Sequence, residues 1–217
     1  MKLDCVVFDF DNTLVPTTSG RPALFLAALR EWNAELTEDF LEHHWSATFR
    51  DVVADCAPSA DYEIFLERYA QLLRKNPLAP YPCALSLLSF LRDEGVESWV
   101  FTATAHVLAV TDMETSGIQT LVSQLIAAED VRYPKPDLRA ADDLIHQLDL
   151  SNFSPDHCIF VGDSQTDRDI AERAGLTFFA VTTGRTRRVD FLNSGIRETS
   201  VFSSLCDIGI SLRILTG

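Results

Sequence analysis

No stretch of this chain comes near the roughly 20 consecutive apolar residues that a membrane helix needs, although hydrophobic residues make up 47% of its 217. Positive charge is scarce. Lys and Arg number 18 against 32 Asp and Glu, a formal net charge of −14. Broad contacts to nucleic acid or anionic membrane need clustered Lys and Arg, so neither partner is expected. A local site can still take an anion if a lysine and a metal ion offset its carboxylates. Cys5, Cys56, Cys83, Cys158 and Cys206 are scattered, odd in number and without a CxxC pair. That pattern predicts neither a disulfide framework nor a zinc site, and it fits a reducing compartment. Lys2 is followed by Asp4, and the next apolar run is too short for a signal-peptide core, so the expectation is a soluble cytoplasmic protein. GxGxxG, GxxxxGK and GxSxG motifs are all missing, which argues against a dinucleotide-binding loop, an ATP phosphate loop and a serine-hydrolase elbow.

Strands and helices alternate along most of what is present. Cys5 to Phe8 is a short apolar run of the kind buried in a parallel sheet. The texture from Pro16 to about Tyr81 is helical. Pro22 suits a helix first turn, Ala23 to Trp32 continues it, and Thr37 is a candidate N-cap with Glu38 and Asp39 behind it. Tyr62, Phe65, Leu66, Tyr69, Leu72 and Leu73 recur at helical spacing before Pro77, Pro80 and Pro82 break the pattern. Residues 16–81 therefore read as a helical insertion. Beyond it come helix 84–94 closed by Gly95, strand 98–101, helix 106–116 closed by Gly117, strand 124–127, helix 138–148, strand 158–161, helix 167–174 closed by Gly175 and strand 177–181. The tail from Asp190 reads as helix, short strand, helix. The fold class predicted is α/β, a doubly wound parallel sheet of Rossmann-like type. Its core would be 1–15 and 82–217, and its inserted α-helical cap 16–81.

Four polar groups follow apolar strands or stiff turns in this layout, at the sheet edge where open parallel sheets bind ligands. Asp9 and Asp11 end the first strand. Burying two carboxylates there is costly unless a cation, backbone N–H groups or a lysine compensate, and a solvated acidic loop is the ordinary alternative. Thr102 ends a second strand, where a hydroxyl is also common as a cap. Lys135 stands between Pro134 and Pro136, which hold its backbone stiff. Asp163 ends a third strand, and Asp167 falls in the next helix's first turn, where acidic residues are favoured in any case. Together they supply two carboxylates, a hydroxyl, an ammonium and an acidic pair suited to a hard cation such as Mg²⁺, a set that suits phosphoryl transfer.

Asp9-Phe10-Asp11-Asn12-Thr13, Thr102, Lys135, and Gly162-Asp163-Ser164 with Asp167 resemble, in order, the four motifs of the haloacid-dehalogenase-like hydrolase superfamily. The helical insertion right after the first motif resembles the subclass with a small α-helical cap, as in phosphoglycolate-phosphatase-like and β-phosphoglucomutase-like members. That resemblance implies a Mg²⁺-dependent phosphatase acting on a small phosphorylated metabolite. Asp9 would be the nucleophile and form an aspartyl-phosphate, and Asp11 the general acid and base. Thr102, Lys135 and backbone N–H groups near Phe10 and Ala103 would hold the phosphoryl oxygens. The metal would be held by the Asp9 and Asp163 side chains and the Asp11 carbonyl, with Asp167 direct or through water. A phosphomutase and a non-catalytic binding protein are the alternatives on the same fold. Val15-Pro16-Thr17-Thr18 departs from the acidic residue and Ser or Thr that many relatives carry there, and Pro134 replaces a frequent glycine.

Three other features stand out. Thr183-Gly184-Arg185-Thr186-Arg187-Arg188 follows the strand 177–181 on the functional edge. Arg185 is a candidate for a substrate anion, with a solvated basic loop as the ordinary alternative. His157-Cys158 has Ser164 where a cysteine phosphatase needs arginine, so Cys158 reads as a core thiol. Glu42-His43-His44-Trp45 lacks zinc-protease spacing.

Overall fold

A computed structural model describes residues 3–32, 34 and 48–216. Its centre is a parallel sheet of β1 (Cys5–Phe8), β2 (Glu97–Phe101), β3 (Gln124–Ile126), β4 (Cys158–Gly162), β5 (Thr177–Val181) and β6 (Val201–Phe202), in the order β3-β2-β1-β4-β5-β6. Every residue of β1 is buried. Alternation splits that burial between the two faces. Val6 and Phe8 join one apolar layer and Cys5 and Val7 the other. The short helices α1 (Thr17–Gly20) and α2 (Pro22–Ala28) follow β1, then α3 (Phe49–Cys56) and α4 (Tyr62–Lys75). The remaining helices among the described residues are α5 (Ala84–Asp93), α6 (His106–Ser116), α7 (Ala140–Leu150), α8 (Gln165–Arg173), α9 (Arg188–Asn193) and α10 (Leu205–Thr216). Leu87, Leu88 and Leu91 of α5 and Leu205, Ile208 and Leu212 of α10 cover the face of Val6 and Phe8. Leu144 and Leu148 of α7 and Ile170 and Ala171 of α8 cover the other.

The segment between β1 and α5 buries a core of its own. Phe25, Phe49, Phe65 and Tyr69 meet there with centroids 5.0–5.8 Å apart, and Ala105 and Leu108 of the α6 region complete it. The starts of its helices follow ordinary capping. Thr48 accepts the Asp51 N–H, and Asp61 accepts those of Glu63 and Ile64. The expected helix through Trp32 is shorter than predicted. It stops at Ala28, and Arg30–Trp32 is a 3₁₀ turn. The Thr37 cap and the Glu42–Trp45 run lie outside the described residues.

A buried ion pair joins this segment to the sheet domain. Arg21 and Asp112 of α6 pair with both side chains almost fully buried, and Arg21 Nη1 also donates to the Asn76 carbonyl at 3.0 Å. One guanidinium thus ties the outgoing chain, the returning chain and α6. Burial pushes the Asp112 carboxyl up to about 7 against the pull of Arg21. Arg21→Met removes that pull and raises the carboxyl further. The folded variant then holds a proton above pH 7 that the wild type has released, so its stability deficit grows as pH rises through 7. We expect urea unfolding to show a loss of about 3 kcal/mol or more at pH 8, as for other broken buried pairs, and a smaller loss at pH 6. An equal loss at both would show that the pair does not set the deficit.

The cysteine expectation needs correction. Cys83 and Cys206 form a disulfide across 123 residues. Cys83 precedes α5 in a left-handed conformation, Cys206 lies in α10, and the packing of α5 on α10 brings the pair together. Spacing rules detect neighbours in sequence, and this pair is made by tertiary packing alone. Cys5, Cys56 and Cys158 are free, and Cys158 is a core thiol as expected.

Candidate active site

The β1 chain stays in the sheet through Asp9, whose N–H donates to the Val161 carbonyl at 2.8 Å. It then turns sharply: the Leu14 and Val15 N–H groups both reach the Phe10 carbonyl. Asn12 takes φ 60°, a conformation Asn tolerates better than most residues. Its side chain grips Thr18 twice, accepting from the Thr18 N–H at 3.0 Å and donating to Thr18 Oγ1 at 2.6 Å.

Four predicted residues meet at this turn. Lys135 Nζ donates to Asp9 Oδ1 at 2.6 Å and to Asp167 Oδ1 at 2.7 Å. Asp9, Asp163 and Asp167 can each offer an oxygen within 4.8 Å of the others, and all three are buried. Burial, resisted by Lys135, pushes the Asp9 carboxyl up to about 7. Burial and then the Asp9 charge drive Asp163 well above the usual carboxylate range. Burial works against the Lys135 ammonium, but Asp167 and Asp9 outweigh it, and its net shift is upward. The lysine also lies 5.4 and 5.8 Å from the Phe101 and Phe160 ring centroids, so aromatic walls keep water from its flanks.

Asp167 takes the capping role weighed for it and also meets Lys135. Its Oδ2 accepts from the Ser164 N–H and hydroxyl at the start of α8, while Oδ1 faces Lys135. Because Ser164 is that cap, α8 begins at Gln165 rather than at Asp167. Asp11 is held at Oδ2 by the hydroxyls of Thr102, at 3.0 Å, and Thr104, at 2.7 Å. The Thr102 oxygen also accepts the Thr104 N–H. Thr102 is therefore engaged with Asp11 behind the pocket wall, and Ala103 is the residue of that loop that lines the pocket. The sequence reading missed Thr104, for which the Thr-x-Thr repeat after β2 is a usable signal. Thr13, which the sequence reading placed in the first motif without a role of its own, donates its hydroxyl to Asp163 Oδ1 at 3.3 Å.

A pocket of about 220 Å³ opens over these groups, lined by Asp9, Asp11, Lys135, Asp163, Asp167 and Arg185 among others. Arg185 belongs to the loop after β5, which is bound to two neighbours. Thr183 Oγ1 donates to the Asn12 carbonyl at 2.5 Å, and Tyr81 donates its hydroxyl to the Thr183 carbonyl at 3.2 Å. Gly184 presses on Asp163 so closely that a Cβ there would sit 1.6 Å from Oδ2. No larger residue fits without displacing that carboxylate.

A sequence model of haloacid dehalogenase-like hydrolases matches residues 6–181. The phosphoglycolate phosphatase of Rhodospirillum rubrum is 28% identical over 93% of this chain and 89% of its own. That of Pseudomonas putida is 24% identical over 82% and 69% respectively. Among solved structures, a predicted phosphoglycolate phosphatase from Haemophilus somnus superposes with a TM-score of 0.78 at 21% identity, covering 99% of both chains. The family match runs from β1 through β5: the chain belongs to the haloacid dehalogenase-like hydrolases.

Proposed function

We propose that this protein is a Mg²⁺-dependent phosphatase that hydrolyses a small phosphate monoester through an aspartyl-phosphate on Asp9, with residues 16–81 as a cap over a core of 1–15 and 82–217. The observation that carries this reading is the buried trio Asp9, Asp163 and Asp167 gathered beside Lys135. The phosphoglycolate phosphatases among its relatives support the same reaction class.

The donor set fits a hard divalent cation. Three buried carboxylates converge within 4.8 Å, and burial pushes two of them toward protonation, a cost that a bound cation removes. Asp9, Asp163 and Asp167 would hold it. When bound, Mg²⁺ supplies charge neutralisation where an anionic nucleophile meets an anionic phosphate.

The chain's own groups do the rest. Asp9, oriented by Lys135, attacks phosphorus, and the bond to the leaving oxygen breaks as Asp11 gives that oxygen its proton. Asp11 then takes a proton from water, which attacks phosphorus and releases Asp9. Thr102 and Thr104 both grip Asp11 Oδ2, which leaves Oδ1 for the proton. Lys135 and the backbone N–H near Ala103 hold the phosphoryl oxygens.

The test is phosphate release from a panel of small monoesters with Mg²⁺ and with excess chelator. Release that needs the metal is expected. Release that survives chelation would overturn the metal requirement, and none at all from the wild type would overturn the phosphatase reading.

A further inference from the structure

Cys83 is exposed and Cys206 half-buried, and both line a groove of about 280 Å³ where α5 meets α10. Ser86, Phe90, Ile210 and Arg213 are among its other walls, with the Arg213 guanidinium 4.1 Å from the Phe90 ring centroid. A small thiol can reach this disulfide from solvent, whereas Cys5 and Cys158 are buried in the sheet. Exposed disulfides are the ones most open to exchange. Cys206 also lies in the first turn of α10. The helix dipole there favours a thiolate, which makes Cys206 the better leaving group.

Two features tie the bridge to the active-site pocket. Cys83 has φ 67°, a left-handed conformation unfavourable for a residue with a Cβ, and the bond to Cys206 tethers it there. Two residues earlier, Tyr81 brings the chain back from the helical segment to the sheet domain. Its N–H donates to the Leu14 carbonyl at 2.9 Å, on the turn that follows Asp9 and Asp11, and its hydroxyl donates to the Thr183 carbonyl at 3.2 Å. Thr183 precedes Gly184, which abuts Asp163. Once the bond opens, Cys83 is free to leave the left-handed conformation, and Tyr81 is the residue through which that movement reaches the pocket.

We propose that Cys83–Cys206 is a modification site, a disulfide opened by a small dithiol, and that its reduction loosens the pocket loop through Tyr81. A thiolate of the dithiol attacks the sulfur of Cys83, the more exposed residue. The S–S bond breaks, and Cys206 leaves as a thiolate that takes up a proton. The second thiol of the reagent then displaces Cys83, which leaves as a thiol. Two electrons pass to the protein, and the reagent ends as its own disulfide.

The test compares folded protein purified without reductant before and after treatment with dithiothreitol. Thiols counted in denaturant should number three before, Cys5, Cys56 and Cys158, and five after. Deuterium uptake in peptides covering Tyr81 and residues 181–186 should rise on reduction, with protection falling about 3- to 10-fold, the worth of one hydrogen bond. Cys206→Ser should show the reduced pattern with and without dithiothreitol, and Tyr81→Phe should show no further rise at 181–186. Five thiols before treatment, or three after it, overturns the exchange site. Unchanged uptake on reduction, a response of Cys206→Ser to dithiothreitol, or an undiminished rise in Tyr81→Phe overturns the coupling. Reduction should also lower kcat/KM by the same 3- to 10-fold for a monoester that the oxidised enzyme accepts, a result that rests on the phosphatase reading above. An oxidised wild type that turns over nothing fails that reading alone, because the thiol count and the deuterium uptake need no substrate.

Discussion

Asp9→Asn should abolish turnover, with kcat/KM for any accepted monoester falling by about 10⁴-fold or more, as when a nucleophile is removed from a covalent mechanism. The substituted amide has the same shape but no oxygen able to form the acyl phosphate. The fold should not suffer for it. Burial already pushes the Asp9 carboxyl up to about 7, so an uncharged isostere is no worse suited to that position, and Asp167 still partners Lys135 at 2.7 Å. A melt in chelator should therefore place the variant's Tm at or above the wild type's while phosphate release vanishes. Wild-type release by the variant would remove Asp9 from the chemistry, and a collapsed Tm would show that the loss is one of folding.

Lys135→Met should have the next largest effect, and it should act on two quantities at once. The methionine keeps the length and the contact with Phe101 and Phe160 but leaves the carboxylates of Asp9 and Asp167 without their shared ammonium. Unpairing buried charges of this kind typically costs about 3–5 kcal/mol. Loss of a preorganised donor to the transferring phosphoryl group should lower kcat by about 10³-fold. The two losses should separate on adding Mg²⁺. A cation bound by Asp9, Asp163 and Asp167 relieves their repulsion and stabilises the folded state by mass action, so Tm should recover while kcat stays low. A variant with wild-type kcat would assign Lys135 a purely structural role.

What the sequence made legible follows from how each feature is encoded. The strands before Asp9 and Asp163 are continuous apolar runs, and the one before Thr102 ends in the run 99–101, because a parallel strand is covered on both faces, and their polar ends stand out against them. The positive-φ glycines at 95, 117 and 175 mark helix ends where they were expected. Features built from distant residues left no such trace. Asp11 is held by Thr102 and Thr104 from 91 and 93 residues away. Arg21 meets Asp112 across 91 residues, and Thr183 meets Asn12 across 171. Each of these depends on which distant segments the fold sets side by side, and no local pattern reports that pairing. The Cys83–Cys206 disulfide was missed for the same reason.

The sheet order also has a consequence in time. β1 is the first strand of the chain, yet its neighbours are β2 and β4, so Cys5 pairs with Glu97 and Cys158. Roughly 90 residues must follow β1 before a first partner exists, and contacts of such long sequence separation are slow to form. During that interval an apolar, partnerless strand leading into Asp9 is open to the wrong partners. The residue on which the proposed chemistry turns is thus made early and secured late. Conditions that slow closure of β1 between β2 and β4 should reduce the yield of active protein before they reduce the stability of what has folded.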